Sequence, residues 1–224
     1  MAHPWPLFDL RLRTPRLELR VPTDDDLVAL AAVARAGLHP AHEHPFLVPW
    51  DELPSPAFER QYLLHWWRTR GSWTPAAWTL PLAAFLDGHP VGVQDLTAHD
   101  FAARRSVLTG SWLGRDVQGR GLGTEMRAAA LALAFDGLHA LEATSGFIDG
   151  NRASARVSEK LGYADNGLDI RRLTPDGQPI HERRVRVTPQ SWRRDLVPVT
   201  IEGLEPCLGL FGARPLMDEE WATV

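Results

Sequence analysis

Cysteine occurs once in this chain, at Cys207, so neither an internal disulfide framework nor a multi-cysteine zinc site can form. Nowhere do eighteen apolar residues run together, so no stretch reads as a membrane-spanning helix. Blocks of basic residues are missing as well, and a formal net charge of −4 leaves no polyelectrolyte footprint for nucleic acid. The opening residues, Met1-Ala2-His3-Pro4-Trp5-Pro6, carry neither the basic region nor the apolar run of a secretory signal. These absences set the expectation of a cytoplasmic protein that binds neither nucleic acid nor membrane. With 224 residues, 44% hydrophobic and 23% charged, one α/β domain with a filled core and a short appendage is the simplest arrangement.

What is present is organised around residues 107–124. A β-prone run, Val107 to Leu113, passes into a Gly-rich turn, and an Ala-rich segment of helical period follows from Leu122 through Gly137. A strand, a tight loop and a helix start in that order bind anions. The first N–H groups of the helix have no partner within it, the macrodipole adds partial positive charge, and glycine lets the backbone approach a phosphate closely. A diphosphate suits this geometry. The nucleoside-triphosphate loop is excluded, since no Gly-Lys pair occurs in the chain. A dinucleotide fold fits poorly: Gly119-x-Gly121-x-Gly123 has the wrong spacing and neither Gly nor Ala stands at the third position, although Glu142 lies about 20 residues on, where a ribose-binding acid belongs.

Along the rest of the chain, Arg16 to Val21 alternates apolar with charged residues and reads as a half-buried strand. Thr23 with Asp26 three residues later marks a helix start, and Leu27, Leu30, Ala31 and Ala34 keep helical period to Gly37. Residues 38–56 are rich in Pro and His and have no period. They form either a wall of a binding site, with His44, Phe46 and Trp50 facing a ligand, or a solvated loop pinned by its two aromatics. The three histidines lack a second ligand pair at metal spacing, so no metal is expected. Phe58, Tyr62, Leu63, Trp66 and Trp67 recur at helical spacing over 57–70 and read as core or partner contacts. Asp87-Gly88 signals a hairpin between strands at 78–86 and 90–96, with Pro81 marking an edge or bulge. Strands follow at 106–113, 140–148, 169–173 and 179–187, the last two joined by the turn Pro175-Asp176-Gly177, and a helix runs from the cap Asn151 to the exit Lys160-Leu161-Gly162. On that helix Asn151, Ser154 and Ser158 share a polar face.

Gln118-x-x-Gly121-x-Gly123 resembles the Q/R-x-x-G-x-G/A signature of the GCN5-related N-acyltransferases (GNAT). Asn151-x-x-Ser154 ahead of Lys160-x-Gly162-Tyr163 resembles the family's second signature. Gly92 to Leu96, His99-Asp100-Phe101 and Gly110-Ser111-Trp112-Leu113 are similar to the RimJ/RimL-type branch. The runs 5–10, 45–50 and 123–129 resemble an actinobacterial member of that branch described as a succinyl-CoA-dependent transferase. The resemblance implies an α/β (α+β) fold, a mixed, largely antiparallel sheet of about seven strands flanked by about four helices. Residues 1–189 would form the acyltransferase domain. Residues 190–224 form a tail in which Trp192, Leu208, Leu210, Phe211 and Leu216 are too apolar for a free linker, and Cys207 reads as a small buried filler.

The chemistry implied is direct transfer of an acyl group from acetyl-CoA or succinyl-CoA to a primary amine: a protein N-terminus, a lysine or a small molecule. Backbone around Trp112, Leu113 and Gly114 would polarise the thioester carbonyl. Gln118, Gly119, Arg120, Gly121, Leu122, Gly123 and Thr124 would hold the pyrophosphate, Asn151 would orient the pantetheine arm, and Ser154 would protonate the leaving thiolate. The family's tyrosine seven residues after the Asn is Ser158 here, and the branch's β-strand carboxylate is Leu108, so the base is open among Asp95, Asp100, Glu142 and a water relayed by His44. The carboxylate of a succinyl group would find Arg104, Arg105, His44 or the Arg171-Arg172 pair. Two other readings remain: a catalytically silent acyl-CoA sensor on the same fold, and a serine hydrolase, for which Gly110-Ser111-Trp112-Leu113-Gly114 has the wrong spacing. The apolar tail and the Trp-rich helix also lead to the expectation of a homodimer or larger homo-oligomer.

Overall fold

Asp87 and Gly88, at φ +50° and +79°, close a two-residue hairpin of the kind whose twist matches its strands, pairing Leu86 with His89. That hairpin joins β3 (Ala77–Leu86) and β4 (His89–His99), the middle of a nine-stranded sheet. The computed structural model describes residues 3–40, 46, 50–173 and 178–213. Around the hairpin are β1 (Arg11–Arg13), β2 (Leu17–Arg20), α1 (Asp24–Ala36), α2 (Ala57–Gly71), the one-turn α3 (Phe101–Arg104) and β5 (Ser106–Leu113). There follow α4 (Leu122–Ala132), β6 (Glu142–Ile148), α5 (Arg152–Leu161), β7 (Ala164–Leu173), β8 (Pro179–Val187) and β9 (Thr200–Glu202). The sheet order is β7-β8-β6-β5-β4-β3-β2-β1-β9, antiparallel throughout except for the β5–β6 pair.

The mixed, largely antiparallel sheet agrees with the sequence reading, but the count of about seven strands does not. The two extra strands, β1 and β9, have three residues each and pair with one another. Three residues are too few to show a period: β1 is a strand because it lies between β2 and β9, and β9 because it lies beside β1. Pro81 sits where β2, which reaches only Ala83 to Leu86, no longer pairs with β3, so the missing N–H falls on an edge-like segment.

Two cores face the two sides of the sheet. On one, Leu27, Leu30 and Ala31 of α1 and Phe58, Tyr62 and Trp66 of α2 pack on Ala83, Phe85 and Val93. On the other, the alanines of α4 let that helix lie close against Leu80, Leu82 and Leu96, and α5 adds Leu161. Trp192, Cys207 and Phe211 of the tail join this second core. Trp73 and Trp78 donate their indole N–H groups to Leu210 and Phe211 carbonyls, which ties the tail to β3. Much of the aromatic helix and of the described part of the tail is therefore used inside the fold, with Trp67 as the main ring left exposed among the described residues. Burial pushes the Cys207 thiol up to about 11, with Asp9 adding to the shift, in keeping with an inert filler. The Pro175-Asp176-Gly177 turn and Leu216 lie outside the described residues.

The start of α1 is built around Asp26. Its carboxylate accepts two bonds from Arg20 (2.6 and 3.1 Å) and bonds from the Thr23 N–H and hydroxyl, while the Thr23 oxygen caps the Asp26 N–H. Burial raises the Asp26 pKa, but these bonds outweigh it and hold the carboxyl below its usual range. A depressed folded-state pKa contributes stability above the unfolded value near 4, and that contribution is lost as pH falls through the folded value. Asp26→Asn should therefore cost roughly 1–2 kcal/mol at pH 7. Urea midpoints of variant and parent should draw together at pH 3, and an equal gap at both pH values would place the contribution elsewhere.

Candidate functional site

The β5–β6 ladder is short. Parallel pairing runs from Ser106↔Glu142 to Thr109↔Ser145 and stops, yet β5 continues beside β4 to Leu113 and β6 continues beside β8 to Ile148. Beyond Thr109 and Ser145 the two strands part, leaving a fork inside the sheet. Gly110 and Gly114 direct their N–H groups toward β4, onto Asp95 Oδ1 and the Val91 carbonyl, each at 2.9 Å. Alternation along the strand turns the N–H groups of Ser111 and Leu113 into the fork. Of the amides named from sequence around Trp112, Leu113 and Gly114, that of Leu113 faces the fork together with that of Ser111, and the Gly114 N–H is already engaged.

Arg127 of α4 spans the fork from below. It is 3% exposed and donates to Gln94 Oε1 (3.3 Å), Ser145 Oγ (2.9 Å) and Ser111 Oγ (3.1 Å), one partner on each of β4, β6 and β5. Ser145 in turn donates to the Thr109 carbonyl, locking the last paired rung.

The Gly-rich loop sits at the mouth of the fork, at the N-terminus of α4. Gly119 and Gly121 have φ of +74° and +83°, which favours glycine at both positions. The loop is held from outside. Gln118 donates its amide to the Leu38 (2.7 Å) and Leu113 (2.8 Å) carbonyls. Arg16 donates to the Arg120 carbonyl (3.0 Å) and to Glu125 (2.6 Å), a largely buried acid in the first turn of α4 that also accepts from Thr14.

Together these elements line a cleft of about 610 Å³. The loop glycines 119, 121 and 123 with Thr124 form one end, and Asn151, Ala153, Ser154, Val157 and Lys160 of α5 form a side. Asn151 caps α5 through Oδ1 to the Ser154 N–H (3.1 Å), so its amide nitrogen is the atom left for a ligand. Ser158, by contrast, is buried and donates to the Ser154 carbonyl. Phe46, Trp50 and Trp112 close the opposite side, with Trp50 stacked on Phe58 and ring centroids of 5.3 and 5.9 Å to Phe46 and Trp112. His39, which also lines the cleft, bonds Asp51 through Nε2 at 2.9 Å and so staples the start of this wall. His44 lies outside the described residues.

The carboxylates named from sequence separate clearly. Asp95 leans over Gly110, where a Cβ would come within 2.8 Å of its Oδ1. It keeps some exposed surface, but burial pushes its pKa up against the opposing pull of the Gly110 N–H and the Arg127 charge. Asp100 begins α3, past the end of β4 remote from the loop. Glu142 lies in the paired part of β6, bonded to Ser106 (2.8 Å) and Arg186. Burial raises its pKa, and these bonds more than reverse the rise. Arg105 belongs to the same remote end, donating to the Leu138 carbonyl (3.1 Å), and Arg104 is exposed beside it. Two charged residues at the fork were not singled out from sequence, Arg127 and Glu182. Glu182 is 7% exposed on β8, and a Cβ on Gly146 would overlap its Oε1.

A family model described as an acetyltransferase (GNAT) domain matches residues 16–164. Among solved structures, Mycobacterium smegmatis RimJ in complex with CoA-disulfide is similar at a TM-score of 0.63 and 22% identity, over 83% of this chain and 90% of that one. The ribosomal-protein-S5-alanine acetyltransferase from Vibrio fischeri superposes with a TM-score of 0.62 at 17% identity, covering 82% and 98%. RimL, a ribosomal L7/L12 alpha-N-protein acetyltransferase in complex with coenzyme A, gives 0.62 at 14% identity over 78% and 94%. With two thirds of its length in the matched domain and the parted strands and Gly-rich loop in place, the chain belongs to the GNAT acetyltransferase family.

Proposed function

We propose that this protein transfers an acyl group from an acyl-CoA to a primary amine by direct attack. The observation that carries the reading is the fork: two unpaired N–H groups, at Ser111 and Leu113, face a cleft whose mouth is a Gly-rich helix N-terminus. A pantetheine arm carries amides of its own and would pair along β5 as a substitute strand, with its pyrophosphate over Gly119 to Thr124. The thioester then reaches the place where the strands meet. There the Ser111 or Leu113 N–H receives the charge that develops on the carbonyl oxygen. The amine enters past Phe46, Trp50 and Trp112, its nitrogen bonds the acyl carbon, the carbon–sulfur bond breaks, and Ser154 returns a proton to the departing thiolate. Asp95, tied to Gly110 behind the cleft wall, takes up the proton released by the amine through an intervening water.

For the donor, the notable feature is a buried guanidinium at the fork with three neutral partners and remaining N–H groups. It replaces Arg104 and Arg105 as the cation available to an acyl chain ending in a carboxylate. That supports succinyl-CoA over acetyl-CoA. A charge-assisted hydrogen bond contributes roughly 1.5–3 kcal/mol, so the preference should be about ten- to hundredfold.

Three measurements test these assignments. Gly121→Val places a β-branched residue at φ +83° beside Arg16 Nη2, so calorimetry should find CoA binding abolished while circular dichroism stays that of the parent. Unchanged affinity in the folded variant would sink the donor site. Titrating the parent with acetyl-CoA and succinyl-CoA side by side decides the acyl group: equal affinities, or tighter acetyl-CoA, remove the succinyl reading and leave an acetyltransferase. Release of free CoA on addition of amines separates the enzyme from a silent acyl-CoA sensor.

A further inference from the structure

The fork is built with a symmetry that the reaction so far does not use. Each arm begins with a glycine directly after its last paired residue, Gly110 after Thr109 and Gly146 after Ser145. Each glycine is covered, on the same face of the sheet, by a carboxylate from the next strand outward: Asp95 of β4 over Gly110, and Glu182 of β8 over Gly146. A side chain at either glycine would evict its carboxylate. That face is also the one carrying Trp112, whereas Arg127 and Ser145 lie on the other, so both acids flank the side from which the acceptor enters.

The two acids differ in what is left free. Asp95 does not itself line the cleft, and its Oδ1 is taken by the Gly110 N–H. Glu182 does line it. Its Oε2 is fully buried and faces Arg171 Nε at 3.2 Å and Arg184 Nη1 at 3.6 Å, ion-pair distances without hydrogen-bond geometry. Arg184 is shared with Asp169 at 3.5 Å while Arg171 faces Glu182 alone, and the two orient the Glu182 carboxylate through Oε2. Its Oε1 lies over Gly146 and accepts no hydrogen bond from the described residues. A nine-tenths-buried carboxylate with one oxygen anchored and the other presented to a ligand cleft is arranged to receive a cation.

We propose that Glu182 is the residue that binds the acceptor's ammonium group and so selects amines as acceptors. This rests on the acyl-CoA reading of the cleft, and its test keeps the two apart. The probes are two CoA thioethers, S-(3-aminopropyl)-CoA, which carries an ammonium three carbons beyond the sulfur, and its neutral counterpart S-propyl-CoA. The parent should bind the aminopropyl compound about tenfold more tightly at pH 7, as a single charge-assisted hydrogen bond allows. Glu182→Gln should lose that preference, and Glu182→Asp should keep part of it. Should Glu182→Gln prove unable to bind S-propyl-CoA, Gly146→Ala takes its place, because the added methyl displaces the carboxylate without removing it. No preference in the parent, or a preference that survives in these variants, overturns the proposal. If neither thioether binds the parent, the acyl-CoA reading itself falls and the proposal falls with it.

Discussion

An interrupted β-ladder is the constraint on which the site depends. Unpaired backbone groups inside a protein are costly, and an open strand edge is a template for another chain. Here the edge is internal. The strands β5 and β6 share four rungs and then separate while their outer neighbours remain paired, so the opening is as rigid as the sheet around it. Its floor is a guanidinium tying Gln94, Ser111 and Ser145 together across three strands. Removing one partner of such a buried network costs more than the network adds, which sets the strand separation within narrow limits.

Loop and fork are then held in register by contacts far apart in the chain. Glu125 would be an expensive residue in the first turn of a packed helix without Arg16 and Thr14, which lie 109 and 111 positions earlier. The same Arg16 reaches the Arg120 carbonyl, so the start of β2 fixes the backbone of the anion loop. Gln118 does the equivalent for the end of α1, bonding the Leu38 carbonyl on one side and Leu113 on the other. The aromatic wall of the cleft begins at His39, one residue beyond that bond, and therefore its position depends on the Gly-rich loop.

Much of this was legible in the sequence because its causes are local. Period marks α1, α2, α4 and α5, Asp87-Gly88 gives the hairpin, positive φ needs the loop glycines, and Asn151 caps its helix as a short polar residue should. What escaped depends on register. β1 is a strand only by lying between β2 and β9, and β9 only by lying beside β1. Arg127 sits in an Ala-rich helix where a lone charge reads as solvent-facing, and only the crossing of α4 under the fork buries it. Glu182 lies in His181-Glu182-Arg183-Arg184-Val185-Arg186, a run that reads as a polar edge, because the residue permitting its burial is a glycine across the strand, 36 positions away.

Burial of charge also explains why the two sides of the fork are chemically unlike. Below it, Arg127 is surrounded by hydroxyl and amide oxygens, which take three of its donors without cancelling its charge, and its charge acts on Asp95. Above it, Glu182 is buried beside Arg171 and Arg184, the second of which it shares with Asp169. A polar ligand threading the opening from the loop would pass a positive floor first and a carboxylate last. For the reaction proposed above, the path thus runs from cation to anion. On the proposed reading, an anionic acyl tail and a cationic acceptor are each drawn to their own side.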